Sequence, residues 1–165
     1  MQNQTIIQYF HWYYNEEDKL WVKAAKEAEN LKNLGITSVW FPPAAKGSNG
    51  GYSVGYDAYD LYDLGEFDQK GSVATKYGSK EEYLAAIEKL HQHDISVLAD
   101  TIFNHKAGAD ELETITVKKV NEENRSEFIS EEMQIDAWTK FTFPGRNGKY
   151  SQFIWDYQCF SGVDW

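Results

Sequence analysis

Over its first hundred residues the chain alternates short apolar runs with amphipathic helical stretches, and that alternation constrains the fold more than any other feature. Thr5 to Phe10 is a β-branched and aromatic run that reads as a strand. Asn15 to Asp18 breaks it. From Asp18 the apolar residues Trp21, Ala24, Ala25, Ala28, Leu31 and Leu34 recur at spacings of three and four, one face of a helix. Gly35 follows, where a helix C-cap glycine belongs. Ile36 to Phe41 reads as a second, buried-type strand, stopped by Pro42-Pro43. A long loop follows, from Ala44 to about Tyr77. Ser79 with Glu82 then makes a capping-box signal, and Tyr83, Leu84, Ile87 and Leu90 continue it as an amphipathic helix. Ile95 to Phe103 is a third strand, largely apolar but carrying Asp100. Strand, helix, strand, helix, strand is the rhythm of a parallel sheet.

After Asn104 that rhythm fails. Thr114 to Val120 alternates, as does Ile135 to Phe143 through Ala137, Thr139 and Phe141, and both read as antiparallel strands. Pro144-Gly145-Arg146-Asn147-Gly148 is a turn signal between two aromatic runs. A boundary is therefore expected near Asn104 to Lys106, with parallel α/β structure before it and a small β-rich region after it. A doubly wound sheet fits within 165 residues. A (β/α)8 barrel takes about 250, so if these strands belong to one, most of it is missing.

Charge excludes two classes of partner. Sixteen basic against twenty-six acidic side chains leave a net of −10. That argues against a nucleic-acid surface, which needs a basic footprint, and against a polybasic membrane anchor. No window approaches the roughly 18 apolar residues of a membrane helix. The first residues carry no Lys or Arg ahead of an apolar stretch, so no export signal is expected. Cys159 stands alone, which rules out an intramolecular disulfide and gives no reason to expect an oxidising compartment. A cytoplasmic protein is the expectation.

In parallel α/β architecture, ligands bind at the C-terminal ends of strands. His11 and Trp12 follow the first strand, the Gly50 to Phe67 loop follows the second, and Asp100, Asn104 and His105 lie at the end of the third. A buried carboxylate is costly unless paired. Asp100 reads either as a cap on local backbone or as a site carboxylate that needs a cation. The only arginines are Arg125 and Arg146, so that cation is expected from outside the chain. The Asn104 carbonyl is a good ligand for a hard cation, and His105 can donate a hydrogen bond or titrate near neutrality; taken alone, such a loop pair is more often structural than functional. The Gly50 to Phe67 loop interleaves tyrosines with carboxylates. Tyrosine offers a flat apolar face and a hydroxyl, which suits a polyol with apolar ring faces. The same tyrosines could simply pack the loop onto the sheet. Asp57, Asp60 and Asp63 do not have the spacing of an EF-hand loop. No phosphate-binding glycine loop, nucleophile elbow or H-E-x-x-H motif is present. His91 and His93 flank a helix end, where solvated positive charge is favourable.

Five ordered segments resemble the α-amylase family of glycoside hydrolases, its cytoplasmic bacterial type in particular. Gln8-Tyr9-Phe10-His11-Trp12-Tyr13 is similar to the family's first barrel strand, and Val39-Trp40-Phe41-Pro42-Pro43-Ala44 to its second. Gly55 to Phe67 is similar to the loop that follows. Asp100-Thr101-Ile102-Phe103-Asn104-His105 matches the signature Asp, three residues, Asn-His. Phe143-Pro144-Gly145-Arg146 and Tyr150-Ser151-Gln152-Phe153 resemble the inserted B domain. The resemblance implies an α/β fold: the first three strands of a (β/α)8 barrel over residues 1–104, and part of a β-rich B domain over 105–165. It implies endo-hydrolysis of α-1,4-glucosidic bonds in starch, glycogen or maltodextrins with retention, by a protein that is monomeric at full length and uses neither nucleic acid nor membrane.

The resemblance also assigns roles. Gln8 and Trp12 would form the floor of the site, Tyr56 would stack on a sugar ring, and His105 would hydrogen-bond that sugar. Asp100 would hold a catalytic arginine supplied from elsewhere, and Asn104 would ligate a structural Ca2+. The family's nucleophile, in an Arg-x-Asp segment ending Lys-His, and its acid/base Glu have no match among these residues, and both are expected beyond Trp165. The chain is therefore expected to be an N-terminal fragment that is inactive alone. Ser161 stands where relatives with several metals carry an Asp, which puts further metal sites in doubt. A related transferase, or a non-catalytic glucan-binding or scaffold module, remains open as an alternative.

Overall fold

A computed structural model describes residues 3–15 and 18–164. Two expectations fall elsewhere. Glu16 and Glu17, in the break after the first strand, lie outside the described residues, and so does Trp165, the residue beyond which the nucleophile and the acid/base are expected. The strands are β1 (Ile6–Gln8), β2 (Ser38–Phe41), β3 (Lys46–Gly47), β4 (Ala58–Asp60), β5 (Ser96–Ala99), β6 (Glu111–Val117) and β7 (Met133–Lys140). The α-helices are α1 (Leu20–Asn33) and α2 (Lys80–Gln92). Two compact units divide the chain: residues up to Gly108 together with Pro144–Ser151, and Ala109–Phe143 together with the residues from Gln152 onward.

The first unit is built on a parallel sheet of order β1-β2-β5. Successive side chains of a strand point to opposite faces. On one face Ile7, Val39 and Val97 share a register, and Val39 and Phe41 are fully buried against α1 and α2. Both helices turn an apolar stripe to that face. Trp21 is the centre of the packing, with its ring 4.9 Å from Phe41 and 4.8 Å from Tyr83. On the other face Gln8, Trp40 and Leu98 share a register, and Trp40 and Leu98 are exposed.

The local sequence accounts for the element ends. Ser79 Oγ accepts the Glu82 backbone N–H while the Glu82 carboxylate accepts that of Ser79, so the capping box forms in full. Helix α1 closes on Leu34 and Gly35, whose φ of +81° is left-handed backbone that glycine adopts without strain. Strand β5 ends at Ala99, short of the expected Phe103. Its partner β2 runs into Pro42-Pro43, which have no N–H to continue the ladder. Asp100 therefore sits just past a strand end rather than inside one. Leu84, expected on the buried stripe of α2, is half exposed, and Tyr83, Ala86 and Leu90 form that stripe instead.

The long loop is ordered by charge. It holds β3, β4 and a single 3-10 turn at Gly50–Tyr52. Lys46 is fully buried; its Nζ lies 3.5 Å from Asp63 and donates to the Ser72 and Val73 carbonyls at 2.6 Å each. Burial pulls the Lys46 ammonium below its usual range, and Asp63 opposes that shift. Asp63 also accepts the backbone N–H groups of Gly65 and Glu66. Asp60, equally buried, takes Arg146 Nε at 2.8 Å and Gln69 Nε2 at 3.0 Å. That ion pair, with the contacts of Lys149 and Tyr150 to Glu66, ties Pro144–Ser151 to the rest of the first unit.

In the second unit β6 and β7 form an antiparallel hairpin. Both strands begin ahead of the expected Thr114 and Ile135 and end sooner, because the ladder runs from Glu111↔Lys140 to Val117↔Met133. Ile115, Ile135 and Ala137 are buried on one face. Leu112, Thr114, Asp136 and Trp138 face out, and Thr114 Oγ1 donates to Asp136 at 2.7 Å. Cys159 is a free, exposed thiol.

Candidate functional site

Trp12 and the 100–105 stretch, far apart in sequence, meet around Tyr56. The loop that carries Tyr56 is fixed next door: the Asp57 carboxylate accepts from Ser48 Oγ, the Asn49 N–H and Ser53 Oγ. Burial pushes Asp57 up, but those hydrogen bonds to its charged form more than offset it and leave its pKa lowered. With its backbone so held, Tyr56 donates its phenolic proton to Asp100 at 2.8 Å. Burial, then that hydrogen bond to an acceptor, raises the Tyr56 phenol well above its usual range, so it stays protonated as a donor.

Trp12 lies against the Tyr56 ring with centroids 5.9 Å apart and planes within 11°, and remains 57% exposed. The pair presents a flat, open aromatic face. His105 Nε2 lies 2.7 Å from the Tyr56 carbonyl. A carbonyl only accepts, so Nε2 carries a proton. The Asn104 amide nitrogen faces the other ring nitrogen, Nδ1, at 3.4 Å. That is where an acceptor belongs in a neutral ring of this tautomer.

The structure thus brings together Trp12, Tyr56, Asp100, Asn104 and His105. Gln8 stands apart: its amide donates to the Phe10 carbonyl at 3.0 Å, at the end of β1 beside Trp40. Of the tyrosines between Gly50 and Phe67 only Tyr59 is buried; Tyr52 is exposed, and Tyr62, half exposed, lies with its ring 5.3 Å from the Arg146 guanidinium carbon. Asp57, Asp60 and Asp63 are each engaged by internal donors, and Gln69 Nε2 reaches both Asp60 and Asp63 at 3.0 Å. Sequence reasoning missed Lys46, Lys106 and Arg146. The only clue to Lys46 was a lysine among small residues directly after a strand and two prolines.

For a hard cation, Asn104 offers one amide oxygen. Among the described residues no group of three or more His, Cys, Asp or Glu side chains converges to hold a metal. The donors present therefore do not make a complete cation site. Among the described residues, no helix is long and apolar enough to cross a membrane.

The C-terminal ends of the parallel strands thus gather a stacked aromatic pair, a carboxylate and a histidine in an α/β architecture. The model of the α-amylase catalytic domain matches residues 25–162, and the chain belongs to that family. It is 57% identical over 164 residues to the cytoplasmic alpha-amylase of Escherichia coli, covering 99% of this chain and 33% of that protein. It is 53% identical to an alpha-amylase of Geobacillus stearothermophilus over 99% of this chain and 30% of the relative. The chain spans about a third of the length of the curated relatives it matches. Among solved structures, truncated alternansucrase from Leuconostoc mesenteroides superposes with a TM-score of 0.69 at 29% identity, over 82% of this chain and 13% of that one. The sheet β1-β2-β5 with α1 and α2 accordingly belongs to a (β/α)8 barrel, and a β-rich stretch follows it.

Proposed function

We propose that this chain supplies the N-terminal, sugar-binding part of an α-amylase that hydrolyses internal α-1,4-glucosidic bonds of starch, glycogen and maltodextrins with retention. The observation that carries the reading is the open Trp12–Tyr56 stack, bordered by His105 and Asp100 at the ends of parallel strands. An α-glucan alternates apolar ring faces with hydroxyl rims. The stacked rings meet the former, while His105 meets the latter. Gln8 would complete the floor of the site.

Retaining hydrolysis needs two carboxyl groups about 5–5.5 Å apart across the scissile bond. Neither has a match among these residues, so residues 1–165 bind and orient while the covalent chemistry falls to other residues. Asp100 would accept from an arginine there, with Tyr56 fixing its orientation. Asn104 would give one oxygen to a structural Ca2+ whose remaining ligands also lie elsewhere. The 57% identity to a cytoplasmic relative supports a cytoplasmic setting. We further propose that the full-length protein is a monomer that engages neither nucleic acid nor membrane.

Electrophoresis through a starch-containing gel tests the proposal. The chain should be retarded, and Tyr56→Ala and His105→Ala should each weaken the dissociation constant about three- to tenfold. Migration unchanged by starch would overturn it. No reducing ends should appear when residues 1–165 alone meet starch.

A further inference from the structure

Beside the candidate site, residues 105–107 lie along the backbone of residues 56–59 through three contacts of different kinds. His105 Nε2 donates to the Tyr56 carbonyl, the Ala107 N–H donates to the Ala58 carbonyl at 2.9 Å, and Lys106 Nζ donates to the Tyr59 carbonyl at 2.5 Å. Two of the three come from His105 and its immediate neighbour. Backbone alternation sends Lys106 away from His105, so the two side chains grip the Tyr56–Tyr59 stretch at its opposite ends.

We propose that Lys106 is a positioning residue for sugar binding: by fastening its ammonium to the Tyr59 carbonyl it fixes the backbone on which His105 and Tyr56 face a glucan. Tyr59 is a firm anchor. It is 1% exposed, its ring lies 4.1 Å under Lys70 Nζ, and the next residue, Asp60, is tied to Arg146. Its carbonyl is therefore an acceptor whose place does not drift. Lys106 is half-buried there, and burial, together with the nearby Arg146 charge, pulls its ammonium down to about 8, with the Asp60 carboxylate opposing the shift. A hydrogen bond from a charged donor in such surroundings is worth more than a neutral one at the surface. Without it, the segment keeps the Ala107 contact and the 2.7 Å imidazole bond itself, and His105 gains the freedom to leave Tyr56.

The inference rests on the sugar-binding reading, and the test separates the two. In the 165-residue chain, the imidazole resonances of His11, His91, His93 and His105 are recorded by proton–nitrogen NMR, with His105 assigned by its loss in His105→Gln. Lys106→Met should shift the His105 Nε2 signal and speed exchange of its proton with water, leaving the other three histidines in place. It should also weaken maltoheptaose binding about tenfold. Lys106→Arg, which keeps a charged donor of similar reach, should restore both. A folded Lys106→Met chain with an unmoved His105 signal overturns the inference. Where Lys106→Met does not fold, Lys106→Gln, too short to reach the Tyr59 carbonyl, is read in its place; unfolding of both marks a general structural role and overturns it equally. If the wild-type chain binds no maltoheptaose while the NMR changes and the arginine rescue occur, the positioning role stands and the sugar-binding reading falls.

Discussion

Asp60 and Arg146 are 86 positions apart in sequence, yet each is 1% exposed and they meet at 2.8 Å. Arg146 also donates to the Lys149 carbonyl at 2.7 Å and to that of Ser151. Removing one member of a buried pair leaves the other charge stranded, at about 3–5 kcal/mol. Arg146→Met should therefore lower the stability of the chain by about that much, measured as the shift in urea midpoint at unchanged slope. None of this could be read from the sequence. An arginine inside a Pro-Gly-Arg-Asn-Gly turn looks solvated, and nothing local says which carboxylate it will find. Tyr56 and His105 were legible only through the motifs around them. Their contact with each other depends on a loop path that no periodicity encodes.

The helices were the most legible elements, because their signals are local. Ser79 and Glu82 announce the start of α2 three residues apart, and the capping box forms as written. Ser79→Ala removes the acceptor for the Glu82 N–H and should cost about 1 kcal/mol, read from the thermal midpoint by far-ultraviolet circular dichroism. Strand existence was equally clear, from the apolar runs before Pro42-Pro43 and around Val97. Strand ends were not, since they depend on the partner's hydrogen-bonding groups. Asp100 illustrates the difference: the run of apolar residues carries on past it, but the ladder has already stopped. The long loop was the hardest stretch. Its small strands and buried Lys46–Asp63 contact come from charge satisfied across many residues, and hydrophobic spacing carries no trace of them.

At the scale of the whole chain, the parallel sheet buries one face and leaves the other open. Ile6 is 56% exposed, Trp40 37% and Leu98 45%. Side by side on one sheet face these make an apolar patch of the kind that drives association, and neither β1 nor β5 has a partner on its outer edge among the described residues. The 165-residue chain should therefore self-associate with rising concentration in sedimentation velocity, despite its net charge of −10. Leu98→Lys should reduce that association without moving the far-ultraviolet spectrum; a wild-type chain that sediments as one monomeric species at all concentrations would contradict the expectation.

The return of Pro144–Ser151 to the first unit has a consequence for how such a chain tolerates change. Gly108 and Gly145 stand at the two feet of the 109–143 excursion, and a Cβ on either would collide, at Gly108 with Ser48 and at Gly145 with the Asp68 carbonyl. Both feet are thus seated by close backbone approach, independently of what lies between them. Doubling the length of a flexible loop between fixed ends adds only about 0.6 kcal/mol of closure entropy. The excursion is in effect a socket: the 118–132 connection inside it can be lengthened or trimmed at small energetic cost, so long as the Phe141–Trp155 pairing to the residues from Gln152 onward is kept.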